Sequence, residues 1–221
     1  REINKKAKSI LQVWLPGTEG ARAIVDTLFG KYNPSGKLPM SFPYCVGQVP
    51  VYYNAYSTGR SDFKGCTDHF RSRYLDIPNE PLYPFGYGLS YSDFTFSDLS
   101  ANDNGVTFTV TNDSDIAGAT VAQLYVRGPQ GGVLRPDREL KGFVKVWLDA
   151  HESKKVTIPF DRYTFRHFDV AANVWRTESG TWTLLVGDNA EHLPLSVAYA
   201  VVGDMGATPA NPALGGYLTG H

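Results

Sequence analysis

The sequence predicts a mixed fold, a partial α/β segment followed by an antiparallel β-sandwich, and three observations carry the prediction. A strand-turn-helix pattern lies near the N-terminus. The character of the chain changes across residues 82 to 91. From there to about residue 202, apolar and polar residues alternate with the period of a strand.

The run Ile10-Leu11-Gln12-Val13-Trp14-Leu15 is apolar and bounded by Pro16-Gly17, which predicts a buried strand ending in a turn, with Trp14 in the core. A helix should follow at once. Thr18 is the expected N-cap and Glu19 sits in the first turn, where the helix dipole favours an anion. Ala21, Ile24, Val25, Leu28 and Phe29 then repeat at helical spacing before Gly30. One such unit cannot cover both faces of its strand, because parallel sheets need several strands with helices on each side. The expectation is therefore that the chain begins inside a domain. Residues 31 to 50 are dense in turn formers, with at most a short edge strand. Residues 51 to 81 form a long irregular stretch whose many tyrosines argue against disorder and for a functional loop.

Leu82-Tyr83-Pro84-Phe85-Gly86-Tyr87-Gly88-Leu89-Ser90-Tyr91 holds aromatics, a proline and two glycines in one short stretch. Pro84 presses Tyr83 toward an extended conformation, and Gly86 and Gly88 permit positive φ or close backbone approach. Aromatic burial would then anchor the crossing. A packed, fixed-shape connector between two domains is predicted.

After Tyr91, Val106, Phe108 and Val110 alternate with threonines. Further strand patterns cover Val121 to Arg127, Phe143 to Leu148, Val156 to Phe160, and Trp182, Leu184 and Val186, with turn residues between them. Seven or so strands over about a hundred residues indicate a sandwich of fibronectin type III or immunoglobulin-like type. The expected organisation is 1–81 as part of an α/β sandwich domain with a functional loop at 51–81, then 82–91 as connector, 92–202 as β-sandwich, and 203–221 as an extended or mobile C-terminal extension.

With 21 basic and 22 acidic residues the net charge is −1, so nothing electrostatic points to nucleic acid or an anionic membrane as partner. Apolar runs are too short to span a bilayer. Cys45 and Cys66 are too few for a disulfide scaffold and lack the spacing and histidines of a zinc site, though they could pair with each other. No metal or cofactor is expected.

Four motifs, Trp14 to Gly20, Leu28-Phe29-Gly30, Asn33 to Pro39, and Pro84 to Tyr91, together resemble the C-terminal part of family 3 glycoside hydrolases. Val121 to Val126, Arg135-Pro136, Glu139 to Phe143 and Leu184 to Gly187 are similar to the fibronectin type III-like domain that ends many of its β-glucosidases and β-xylosidases. Ser57 to Arg60 and Ser72 to Asp76 resemble the periplasmic β-glucosidase subgroup. One departure is visible: after Glu19-Gly20 the family pattern continues Gly-Asn, whereas this chain has Ala21-Arg22.

The resemblance implies a retaining, exo-acting β-glucosidase, with a β-xylosidase or a non-catalytic sandwich that binds carbohydrate or protein as alternatives. Its Asp nucleophile and Glu acid/base would both lie upstream of residue 1, so no catalytic residue is expected in this chain. Implied partners are a β-glucoside or oligosaccharide and the N-terminal remainder of the enzyme, with a homodimer compatible. The implied location is periplasmic or secreted, with the cytoplasm left open. Retaining hydrolysis needs two carboxyl groups about 5 Å apart. Glu19 is explained by its helix start, and Glu80, Glu139 and Glu178 are read as solvated. The residues favoured for substrate binding are Arg73, Tyr74 and Asp76: a guanidinium can donate paired hydrogen bonds to sugar hydroxyls, and a tyrosine can stack on a pyranose. A surface ion pair of Arg73 with Asp68 or Asp76 is the competing reading, and Tyr56 and Arg60 are weaker candidates. Asn112-Asp113-Ser114 fits a glycosylation sequon and is read as a turn.

Overall fold

The structure, a computed structural model, describes residues 2–60, 68–129 and 133–204. A short helix α1 (Glu2–Lys6) buries nothing. The amphipathic helix α2 (Gly20–Leu28) follows the Pro16-Gly17 turn, with Gly17 at φ 69°. It starts one step later than expected: Glu19, not Thr18, occupies the N-cap, and its side chain makes no capping bond. The end is as expected. Gly30 takes φ 74°, the left-handed conformation that closes a helix without a β-carbon penalty, and its N–H bonds the Thr27 carbonyl at 3.1 Å.

The strand expected at residues 10–15 does not form. A strand exists through its neighbour's N–H and C=O groups, and none of the described residues pairs with this run. Leu15 is 98% exposed and Trp14, expected in the core, is 50% exposed with its ring edge-on to Phe42. The apolar face of α2 is likewise open at Val25, Leu28 and Phe29.

Nine strands follow among the described residues: β1 (Phe94–Asn102), β2 (Gly105–Asn112), β3 (Gly118–Arg127), β4 (Glu139–Leu148), β5 (Ser153–Pro159), β6 (Arg166–Asp169), β7 (Val174–Thr177), β8 (Gly180–Gly187) and β9 (Leu195–Val201). Seven form the expected sandwich. One antiparallel sheet has the order β1-β2-β5, the other β4-β3-β8-β9, and β6-β7 is a separate hairpin. The predicted alternation sets the register. Val106, Phe108 and Val110 face inward to meet Ala122, Leu124, Val126, Trp182, Leu184 and Val186, while Thr107 pairs its hydroxyl with Thr157 across the outer face at 3.0 Å. Core truncation here costs transfer free energy plus a cavity term, about 2–5 kcal/mol for a leucine such as Leu124.

Asn112 ends β2 fully buried, its amide donating to the Ile116 and Asp149 carbonyls at 2.8 and 3.0 Å. The sequon thus straddles the end of β2 and the loop that follows, with the Asn112 amide nitrogen occupied. Of the C-terminal extension, Gly203 and Asp204 are tied to Ser179 and Thr177, and residues 205–221 lie outside the described residues. So does Cys66, while Cys45 is exposed. Among the described residues no helix is long and apolar enough to cross a membrane.

Candidate functional site

β3 is buried on both faces, unlike an ordinary sandwich strand, because the connector lies on its outer side. Phe85 stacks on Tyr53 at 4.7 Å between ring centroids, and Tyr53 meets Tyr125 edge-on at 5.6 Å. Gly86 adopts φ 82°, and a β-carbon there would lie 2.4 Å from Oε1 of the buried Gln123. That amide accepts from Tyr125 Oη at 2.7 Å and donates to the Asp188 carbonyl at 2.6 Å. Burial pushes the Tyr125 and Tyr53 phenols up, so both remain neutral; Tyr125 donates to Gln123, and Tyr53 Oη accepts from the Leu140 N–H at 3.2 Å. Lys37 completes the seam, donating to the Gly88 carbonyl at 2.7 Å and to Asp188 Oδ2 at 3.2 Å. Residues 38, 42, 83, 86 and 87 exchange backbone hydrogen bonds. The fixed-shape connector is therefore built from main-chain pairing and stacked rings together.

The three residues favoured for substrate binding sit on one clamped turn. Asn79 closes it, donating to the Ser72 carbonyl at 2.9 Å and accepting from the Tyr74 N–H at 3.0 Å. Beneath it, buried Gln48 donates to the carbonyls of Pro78 and Glu80, each at 3.0 Å, and accepts from the Tyr44 N–H at 2.7 Å. Ile77 is the buried anchor, Arg73 is half-buried, and Tyr74 and Asp76 are exposed. Arg73 Nε donates to the Asp68 carbonyl at 3.1 Å, and the Asp68 carboxylate lies 3.7 Å from Arg71 Nε. A loop without helix or strand is thus held in shape by two side-chain amides, neither of which sequence reasoning singled out. Periodicity cannot find them, because an isolated Gln or Asn in a turn-rich stretch carries no signal of burial. Tyr56 and Arg60 are also exposed on this loop, the Arg60 carbonyl accepting from the Ser72 N–H at 2.9 Å.

The carboxylates divide differently from expectation. Glu19 and Glu80 are exposed and Glu139 is half-buried, but Glu178 is only 1% exposed. Its turn is folded inward because Trp182 donates its indole N–H to the Glu178 carbonyl at 3.2 Å, and the carboxylate lies 4.0 Å from buried Arg135. Arg135 also lies 3.6 Å from Glu139, stacks over the Trp182 ring at 4.8 Å and contacts His167 Nδ1 at 2.8 Å. Burial lowers the Arg135 pKa while Glu139 and Glu178 oppose that shift; burial and then the Arg135 charge hold His167 below its ordinary 6.5. The cluster fastens the β6-β7 hairpin to the sandwich by pairing opposite charges, with Arg135 Nε itself buried beyond hydrogen-bond distance of Glu178.

A pH dependence follows. Because His167 has a depressed folded-state pKa, the unfolded chain takes up a proton first as pH falls below about 6.5, and stability is lost over that window. Thermal denaturation between pH 7.5 and 5 should show this loss, and His167→Gln should flatten it; an equal slope in the variant would assign the effect to other groups.

The class the fold defines is a fibronectin-like β-sandwich joined through a packed aromatic connector to a clamped, loop-rich segment. Residues 1–91 match the glycosyl hydrolase family 3 C-terminal domain and residues 120–190 the fibronectin type III-like domain. The chain belongs to glycosyl hydrolase family 3, in its C-terminal part. It is 43% identical over 192 residues to a periplasmic β-glucosidase of Salmonella typhimurium, covering 83% of this chain and 25% of that protein. It is 39% identical over 208 residues to an exo-α-(1→6)-L-arabinopyranosidase of Bifidobacterium longum, covering 90% of this chain and 27% of that protein. The crystal structure of a Listeria innocua β-glucosidase with gluconolactone superposes with TM-score 0.84 at 40% identity, over 91% of this chain and 29% of that one; a mutant of the same enzyme was solved with laminaribiose. The chain thus spans about a quarter of the length of the curated relatives it matches.

Proposed function

We propose that this chain is the C-terminal part of a retaining, exo-acting β-glucosidase that removes terminal β-linked glucose, and that it contributes scaffold together with a leaving-group-side contact from Arg73, Tyr74 and Asp76. The observation that carries the reading is the agreement with a β-glucosidase at TM-score 0.84 over 91% of the chain. On this reading residues 1–81 complete an α/β sandwich domain, 82–91 connect, 92–202 form the fibronectin-like domain, and 203–221 extend from it. The apolar surface left open at Trp14, Leu15, Leu28 and Phe29 is where the remainder of that domain would pack. By similarity to the Salmonella protein the enzyme is periplasmic or secreted.

The arabinopyranosidase relative favours a second reading, a pentopyranosidase, of which the β-xylosidase is the alternative already implied by the motifs. Assay of the complete enzyme on 4-nitrophenyl β-D-glucopyranoside, β-D-xylopyranoside and α-L-arabinopyranoside decides between them; the glucoside should have the highest kcat/KM. The 221-residue chain by itself should turn over none of the three, because both carboxylates of a retaining mechanism are assigned outside it. Hydrolysis by the purified chain would refute that assignment.

The domain reading predicts that residues 92 to about 202 resist proteolysis as a unit and residues 1–91 do not, since only the former close a complete core. Mass spectrometry of a limited digest checks this; a protected N-terminal fragment found without the sandwich would contradict it.

A further inference from the structure

We propose that the cleft lined by Tyr32, Trp147 and Asp149, where the segment after α2 meets the ends of β3 and β4, binds a β-linked gluco-oligosaccharide. The proposal rests on reading the protein as a β-glucosidase. The cleft has a volume of about 290 Å³, at the small end of the range for ligand sites.

Its wall is amphipathic in the way a sugar ring is. Trp147 is 54% exposed and Tyr32 45% exposed, so two aromatic side chains remain open to solvent beside each other's backbone supports. Lys145 Nζ lies 4.7 Å from the indole centroid and occupies one of its faces. The indole N–H, the Tyr32 hydroxyl and the Asp149 carboxylate have no hydrogen-bond partner among the described residues. They supply two donors and an acceptor beside apolar rings, which suits the C–H face and hydroxyl edge of a pyranose.

Charge favours a neutral ligand. Both lysines of the cleft are engaged: Lys31 lies 3.7 Å from Asp26, and Lys154 lies 3.0 Å from Glu152 and donates to the Trp147 carbonyl at 2.6 Å. Lys145, over the Trp147 ring, forms no ion pair among the described residues, but the Asp149 carboxylate lining the cleft offsets its charge. The walls are also preorganised. Trp147 is fixed by pairing with Ala119 across β3 and β4, and Asn33 donates to Ser92 Oγ at 2.8 Å and to the Ala117 carbonyl at 3.0 Å. A ligand would therefore spend little of its binding energy on ordering the site.

The test is titration of the tryptophan-¹⁵N-labelled chain with laminaritriose. The chain has four tryptophans, hence four indole N–H signals, and Trp147→Phe assigns one of them. Saturable movement of the Trp147 signal is expected, with the Trp175 signal unmoved and the affinity read from the Trp147 signal at least tenfold weaker in Tyr32→Ala. The Trp182 signal, from the core, shows that each variant is folded. No saturable shift at Trp147 up to about 10 mM, weaker than any useful sugar site, overturns the proposal. So does undiminished binding by the folded Tyr32→Ala chain. If the chain fails to bind while the complete enzyme hydrolyses β-glucosides, only the cleft assignment falls. If it binds while the complete enzyme lacks that activity, the β-glucosidase reading falls instead.

Discussion

Arg73→Ala in the complete enzyme should lower kcat/KM for a β-linked glucose disaccharide about ten- to a hundredfold, mostly through KM, and change the value for an aryl glucoside far less. A hydrogen bond from a charged donor is worth about 1.5–3 kcal/mol, and an aryl leaving group lacks the hydroxyls that would accept it. The clamped turn makes the discrimination measurable. Asn79 and Gln48 hold residues 72–80 through bonds that do not involve the Arg73 side chain, so truncation should leave the turn in place. Arg73→Lys should restore only part of the loss, because an ammonium keeps the charge without the planar fork. Equal losses on both substrates, or unchanged kinetics with lowered thermal stability, would make Arg73 a structural residue of the loop and withdraw the substrate assignment.

Arg135→Met should destabilise the protein by about 3–5 kcal/mol, the cost of removing one partner of a buried ion pair. For a chain of this size that corresponds to a fall in Tm of roughly 6–20 °C. Arg135 touches Glu178, Glu139, His167 and the Trp182 face at once, and Glu178 is almost without solvent to replace the lost charge. Adding Glu178→Gln should recover part of the loss, since it deletes the orphaned buried charge. Denaturation of the parent, the two single variants and the double variant at one pH measures the coupling. If the two losses simply add, the groups are not coupled and the cluster is incidental.

Sequence alone determined the sandwich, the helix at residues 20–28 and the shape of the connector. These rest on local chemistry: alternation assigns Val106, Phe108 and Val110 to one face whatever they pack against, Gly30 ends a helix by its own φ, and Pro84 with Gly86 restricts the backbone in place. Residues 14–20, 28–39 and 84–91 also carried the family through their order and spacing.

The tertiary structure alone decided burial wherever it depends on a distant partner. Ile10 to Leu15 has the composition of a buried strand but stays open, because hydrogen-bonding neighbours make a strand and none of the described residues provides them. Glu178 reads as a solvated turn residue, yet Trp182 and Arg135, brought over it by the β8 fold and the loop before β4, enclose it. Gln48 and Asn79 shape the candidate loop and Gln123 locks the connector, each through an amide that local sequence cannot distinguish from a surface one. Side-chain periodicity reports which way a residue points; only the assembled chain determines what it meets there.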